Sequence, residues 1–410
     1  MYCCLFVIKR CLAASPSSHP PMGGLDETSR TELISALACD SRTGIVSLAS
    51  LNKLASPNRP IRVAGAGPAG LSAAITLARA GVSVEVHERG PRPGCRHHFD
   101  FQAIENWSSP DDVLELLHGL GLELDMPRHP IRELVLMRGA RDVVRTTTDR
   151  PLGYVVQRGP GPGTLDDALK RQAEGLGIPI RCGSKLAPAD ADIWATGPRA
   201  ATGIVAGYTF ETENAPLSLC LLDEGYAPGG YVYLLVADGK ATLATVLLRS
   251  FERARGCLEK ATALLGERLH LDMRHVRRFG GIGQFRVPSR QGYDFSSPGE
   301  AGGFQDLLFG FGIRLALTTG HLAARSLLDG GGCESQRREV EGILRASTSN
   351  RLLFDLGGRL GHRYLVRQAE RRGPSTFLAD LYRFGTTKAV LYPLARRWFR
   401  YRFRAVPGVG

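Results

Sequence analysis

The sequence has no run of eighteen apolar residues, so no segment reads as a membrane-spanning helix. Its nine cysteines (Cys3, Cys4, Cys11, Cys39, Cys95, Cys182, Cys220, Cys257 and Cys333) never form C-x-x-C. No histidine pair stands at zinc spacing either, so no metal site is expected. An odd thiol count without a framework suits free cysteines in a reducing compartment, and the cytoplasm is the expected location. Acidic residues are in deficit, 40 against 52 Lys and Arg, for a net charge of +12. That balance admits an anionic partner (lipid headgroups, a phosphorylated substrate, nucleic acid) or an arginine-rich solvated surface. No nucleic-acid motif accompanies it, and no nucleic-acid partner is expected. A 43% hydrophobic share over 410 residues is that of a globular chain able to hold two or more cores.

Residues 1–57 differ from the rest. Met1 to Leu12 is apolar and cysteine-rich, and its basic residues, Lys9 and Arg10, follow the apolar part instead of preceding it as in a secretory signal. Ser15 to Pro21 reads as a Ser/Pro linker and Thr28 to Leu51 as room for one short helix. We expect a poorly ordered extension here, with functional structure beginning near Arg59.

The most informative stretch runs from Ile61 to Glu88. A short extended segment leads into Gly65-Ala66-Gly67-Pro68-Ala69-Gly70, which fits G-x-G-x-x-G. A small-residue helix (Leu71 to Ala80), a strand (Val82 to Val86) and Glu88 follow, with Arg89 beside the acid. In this pattern the first glycine makes the tight turn, the second lets backbone approach a pyrophosphate, and the third lets helix and strand pack closely. The free N–H groups of the helix start attract the phosphates. Glu88 suits both ribose hydroxyls and would repel a 2′-phosphate. With strand, helix and acid in order, the pattern is specific for a dinucleotide.

Downstream, the spacing predicts a helix over Asp111 to Leu120, capped through Ser108-Ser109-Pro110. It predicts a hairpin of Ile131–Met137 with Asp142–Thr147, and a helix from Thr164 to Gly175. Short strands follow at Ile178–Arg181 and Asp192–Ala195, then alternating segments at 208–210, 217–222, 230–236 and 241–248. Arg253–Leu265 reads as a helix, Phe304–Leu328 as containing a long one, and the chain from Gln336 onward as helical and basic. The fold class is therefore α/β, or α+β overall, with a Rossmann-like βαβ domain interrupted by a β-sheet substrate domain and followed by a helical C-terminal region. The expected limits are 58–105, 155–205 and 280–330 for the nucleotide domain, 106–154 and 206–279 for the substrate domain, and 331–410 for the C-terminal region.

A second glycine-rich stretch, Pro298-Gly299-Glu300-Ala301-Gly302-Gly303, leads through Phe309-Gly310-Phe311-Gly312-Ile313-Arg314 into a helix. Together with the first fingerprint it resembles FAD-dependent oxidoreductases of the para-hydroxybenzoate hydroxylase class, most closely the geranylgeranyl reductase-like branch. Asp192 to Gly197, Gln157-Arg158-Gly159, Asp100 to Trp107 and Pro228 to Tyr233 extend the likeness over roughly Arg59 to Leu328. The resemblance implies bound FAD. It implies Gly65, Gly67, Pro68, Ala69, Gly70, Glu88 and Arg89 on the adenosine and pyrophosphate side. It implies Thr196 and Gly197 near the pyrophosphate, Arg158 near the flavin, Glu300 and Ala301 at the ribityl chain, and Gly310, Gly312 and Ile313 at the ring. Glu300 departs from the family's Gly-Asp-Ala by one methylene, which shifts its contact or routes it through water. Tyr233, Leu235 and Val236 replace Trp, Phe and Pro of the branch's Gly-Tyr-x-Trp-x-Phe-Pro stretch.

A flavin protein needs few reactive side chains. Tyr231 and Tyr233 share one strand face, and Cys95 follows the first βαβ unit; these are the catalytic candidates, each with an inert structural alternative. His97 and His98 read as solvated, and Asp294 and Asp306 as turn and loop acids. Leu391 to Arg404 interleaves aromatics with arginines, which suits an anionic membrane surface or a helix packed by its aromatics. The expected activity is oxidation or reduction of a hydrophobic small molecule, an isoprenoid or lipid double bond being one substrate. A flavin monooxygenase is the alternative, and a non-catalytic flavin-binding or membrane-associated protein the third reading. The halogenase motif Trp-x-Trp-x-Ile-Pro is absent, and with no second G-x-G-x-x-G any NADPH or NADH is expected to bind transiently.

Overall fold

The computed structural model describes residues 59–139, 142–288, 292–329 and 333–402. The linker and short helix expected within 1–57, and Phe403 and Arg404 of the basic aromatic segment, lie outside these residues. Strand β1 (Ile61–Ala64) runs into helix α1 (Pro68–Arg79), where Pro68 fixes the first turn, and the chain returns as β2 (Val84–Glu88). Residues Ala69 to Leu77 of α1 are all buried, because their small side chains let the helix be covered on several sides.

The chain continues through β3 (Phe101–Glu105), α2 (Val113–Gly119), β4 (Arg128–Pro130), β5 (Glu133–Arg138), β6 (Asp142–Thr147), β7 (Gly153–Gln157) and α3 (Leu165–Gly175). Helix α2 starts later than expected. Its cap is Asp112, whose side chain accepts from the Leu114 N–H at 2.9 Å, and not the Ser-Ser-Pro run. The cap of α3 is Thr164, the first residue of the expected helix, whose side chain accepts from the Asp167 N–H. Then come β8 (Ile180–Cys182), β9 (Ile193–Trp194), β10 (Gly203–Glu211), β11 (Leu217–Leu221), β12 (Tyr231–Ala237), β13 (Lys240–Leu247), α4 (Ala254–Leu269) and β14 (Arg274–Gly283). Four helices close the described chain: α5 (Ile313–Asp329), α6 (Glu334–Arg372), which is broken by a kink at Gly358, α7 (Pro374–Tyr382) and α8 (Thr386–Arg402).

Three sheets result. A parallel four-stranded sheet has the order β8-β2-β1-β9. A seven-stranded sheet has the order β14-β10-β13-β12-β11-β5-β6, antiparallel except for β11 against β5. A three-stranded antiparallel sheet, β3-β7-β4, stands beside them, and the Phe101 N–H donates to Thr242 Oγ1 at 2.7 Å, tying β3 to β13. The fold is thus a Rossmann-like nucleotide unit interrupted by sheet, with a helical C-terminal region. Two strands cross the expected limits: β7 runs through position 154 and pairs with β4 of the substrate part, and β14 runs through position 280. Helix α4 covers one side of the large sheet through Leu258, Ala261 and Leu265.

The long helix expected within Phe304–Leu328 begins at Ile313. Asp306 accepts from the Leu308 and Phe309 N–H groups, and Gly310 takes φ +78°, so residues 304–312 form a loop. Helix α5 then packs on α1 at backbone contact. A Cβ on Gly320 would lie 2.1 Å from Ala69 O, and Ser72 Oγ donates to Leu317 O at 2.7 Å.

Candidate functional site

The first glycine turn is built as its residue types require, each glycine for a separate reason. Gly65 has φ +100°, and a Cβ there would sit 2.3 Å from Ala195 O, so the turn is wedged against the end of β9. A Cβ on Gly70 would strike Gly65 O at 1.9 Å. A Cβ on Gly67 would meet nothing within 4 Å, because it faces a cavity. Glu88, at the end of β2, accepts from the Ala66 N–H at 2.9 Å through Oε2 and from the Gly90 N–H at 2.7 Å through Oε1. Its carboxylate is fixed beside the turn, and each oxygen keeps a lone pair for a hydroxyl.

The cavity measures about 1140 Å³, at the top of or above the range for one small-molecule pocket. Pro68, Ala69 and Arg89 line its first end with Gly65, Gly67 and Glu88, and Thr196 and Gly197 follow after β9. Its middle is walled by Arg158, Glu300 and the loop of Gly310, Gly312 and Ile313, where the unpaired N–H groups of α5 begin. Gly70 and Ala301 do not reach it. Gly70 packs inside the turn, and Ala301 is buried with its carbonyl accepting from Arg286. The far arm is apolar, with Leu136 and Leu235 of the large sheet opposite Val366, Ala369, Phe377 and Leu378 of α6 and α7. An open second glycine, a fixed ribose-type carboxylate and a helix start on one elongated cavity fit an extended dinucleotide.

Burial drives the Glu300 carboxyl up to about 7, although the Gln284 N–H (2.6 Å to Oε1), Arg96 and Arg158 all favour its charge. Arg158 is less free than the resemblance implies. It is buried, bonds Asp166 through Nε and Nη2 at 2.8 and 2.9 Å, and turns Nη1 to Gln102. Burial raises the Asp100 carboxyl, but His97, the His98 N–H and Gln102 outweigh it and hold it at about 2. His97 and His98 both line the cavity, His97 half-buried and His98 exposed, so the solvated reading holds only for His98.

The two tyrosines separate in role. Both line the cavity, with ring centroids 6.2 Å apart. The Tyr231 hydroxyl donates to Phe309 O at 2.5 Å and holds the 306–312 loop. The Tyr233 hydroxyl has no hydrogen-bond partner among the described residues, and burial raises its pKa well above the usual phenol value. Cys95 stands at the other end: a Cβ on Gly90 would touch both its Sγ (2.4 Å) and Glu88 Oε1 (3.1 Å). That places the thiol beside the ribose-type acid rather than at the 310–312 loop.

Three buried residues were not apparent in the sequence. Asp306, read as a loop acid, is 2% exposed; it accepts from the Tyr382 hydroxyl at 2.8 Å and from Ser347, linking the loop to α7 and α6. Arg351 of α6 is 1% exposed, pairs with Asp355 and donates to Gly229 O at 2.5 Å. Arg314 pairs with Glu105 at 3.2 Å and with Ser108, pinning the start of α5 to the end of β3. Among the described residues there is no cluster of His, Cys, Asp and Glu able to hold a metal.

Residues 63–102 match the family model described as an NAD(P)-binding Rossmann-like domain. No curated protein matches the chain in sequence. Solved structures share the fold at low identity. A geranylgeranyl bacteriochlorophyll reductase-like protein from Thermoplasma acidophilum superposes with a TM-score of 0.60 at 14% identity, over 84% of this chain and 98% of that one. A flavin-dependent brominase gives 0.58 at 14%, over 83% and 99%. A flavoprotein/dehydrogenase from Cytophaga hutchinsonii gives 0.55 at 14%, over 83% and 99%.

Proposed function

We propose that the chain is an FAD-dependent oxidoreductase acting on a hydrophobic small molecule. The observation that carries this reading is a single cavity joining the Gly65–Gly70 turn and Glu88, through Gly310–Ile313, to an apolar arm. A bound FAD supplies the two-electron redox chemistry. The chain's own residues bind and orient it: Glu88 at the adenosine ribose, the α1 start at the pyrophosphate, Glu300 at the ribityl chain and the α5 start at the ring, where helix N–H groups favour negative charge. The apolar arm excludes water and takes an aliphatic substrate, with an isoprenoid or lipid alkene the first class to try. Tyr233, the phenol without a partner, is the residue placed to give a proton to such a substrate, and Tyr231 keeps the loop in position.

The purified chain should be yellow, or become so with FAD, and Gly67→Val should remove the colour while leaving the fold intact. A colourless protein that takes up no FAD defeats the reading. Oxidation of the NADH- or NADPH-reduced protein by an alkene without oxygen supports a reductase. Substrate-dependent oxygen uptake with a hydroxylated product replaces that with the monooxygenase.

A further inference from the structure

We propose that the outer faces of α6 and α8 dock the protein on an anionic lipid bilayer. Eight of the thirteen large hydrophobic residues left exposed among the described residues lie on these two helices. Leu353, Leu356, Leu360 and Tyr364 follow one another by three or four residues on α6, and Val390, Leu394, Trp398 and Tyr401 do so on α8. Such spacing collects the α8 set on one helix side, while Gly358, at φ +45°, breaks α6 between Leu356 and Leu360, so Leu353 and Leu356 precede the break and Leu360 and Tyr364 follow it. Four of the eight are more than two-thirds exposed or close to it: Leu360 76%, Val390 75%, Tyr401 77% and Leu356 67%.

The part of α6 before Gly358 lies beside α8 and runs the same way. Ser349 Oγ donates to Lys388 O at 3.2 Å, Leu352 packs with Ala395 and Phe399, and Arg402 pairs with Asp355. The alternatives weighed from the sequence therefore divide by residue: Phe399 is the aromatic that packs inward, at 0% exposure, and Trp398 and Tyr401 face out. Between Leu353 and Arg402 the chain carries eleven Lys and Arg against three Asp and Glu, eight of its twelve net positive charges. Arg359, Arg363 and Arg367 on α6, and Arg396, Arg397 and Arg400 on α8, have no ion-pair partner among the described residues.

That charge selects the occupant. A second copy seated face to face would oppose two arginine clusters, whereas phosphatidylserine-type headgroups neutralise them and leave the aliphatic side chains to enter the acyl boundary. Among the described residues no helix is long and apolar enough to cross a membrane, so the contact is peripheral. Helix α6 also turns Leu365, Val366 and Ala369 to the apolar arm. If the proposed function holds, one helix separates bilayer and substrate site; the docking itself does not depend on that reading.

The test is co-sedimentation of the full chain with phosphatidylcholine vesicles, with and without phosphatidylserine, at low and high salt. The chain should sediment with the anionic vesicles, less at high salt, and poorly with neutral ones. Replacing Arg396, Arg397 and Arg400 together by Gln should weaken binding by about fivefold per residue, roughly a hundredfold in all. Replacing Leu356, Leu360, Val390 and Leu394 by Gln should abolish it with an unchanged circular dichroism melt, since all four are exposed. Equal binding to neutral vesicles, binding that survives the Leu/Val variant, or a solution dimer that the same variant dissociates would each overturn the proposal.

Discussion

At the scale of single residues, the glycines of one motif separate by what a Cβ would meet. Gly67→Val projects into open space and should leave the melting temperature unchanged while cutting FAD affinity at least tenfold, about 1.4 kcal/mol or more, by flavin fluorescence titration. Gly70→Ala strikes backbone at 1.9 Å and should cost about 1–3 kcal/mol or more in urea denaturation. Burial pushes the Glu300 carboxyl from 4.5, its value in water, up to about 7 in the folded protein. Folding therefore favours its protonated form, and this contribution is fully present below about pH 4.5 and is lost as pH rises through 7. Glu300→Gln keeps an acceptor for the Gln284 N–H and should stabilise the FAD-free protein by on the order of 3 kcal/mol at pH 8, and hardly at pH 4. Thermal melts at the two pH values check this. Tyr233→Phe should lower turnover by about 10²–10⁴-fold with little change in FAD binding, if it acts as the general acid. Glu88 and Gly70 could be read in the chain because their partners (Ala66, Gly90 and Gly65) lie within one βαβ unit, although Gly65 also abuts Ala195. Arg314, by contrast, answers Glu105, 209 positions away, and nothing local announces it.

At the scale of elements, the 306–312 loop decides how the second motif is presented. Its glycines are legible in the sequence, but the residue that shapes it is not: Asp306 is satisfied by donors from its own loop, from α6 and from α7. The helix start was legible, since Gly310 and Gly312 precede it, as was the loop character of Asp306, but not that this acid is buried. Tyr382→Phe removes one of those donors from a buried carboxyl and should cost about 1–3 kcal/mol in denaturation. It should also alter the fluorescence of bound flavin, although Tyr382 does not line the cavity. The strands of the large sheet were mostly legible, since β10 to β13 alternate or are continuously apolar. Strand β14 was not, because its run Arg274 to Gly283 is almost wholly exposed and pairs only along one edge. The short strands β3, β4 and β7 carried no period long enough to read.

At the scale of the whole molecule, the cavity belongs to no single domain. Its ends come from the parallel sheet and from α6 and α7, and the chain passes back and forth between them. Ala369→Trp should fill the apolar arm, raising KM for long-chain substrates well above that for short ones and leaving the flavin spectrum intact. The sequence made the dinucleotide end plain and the apolar end invisible, because the latter is assembled from side chains on separate helices and strands. The close seating of α5 on α1 also orders events during translation. Ala69 leaves the ribosome some 250 residues before Gly320, so a nascent chain displays a finished glycine turn with one wall missing through most of its synthesis. Arresting elongation before Ile313 should give a ribosome-bound chain that cannot retain the coenzyme. Release of a few dozen further residues should make it competent.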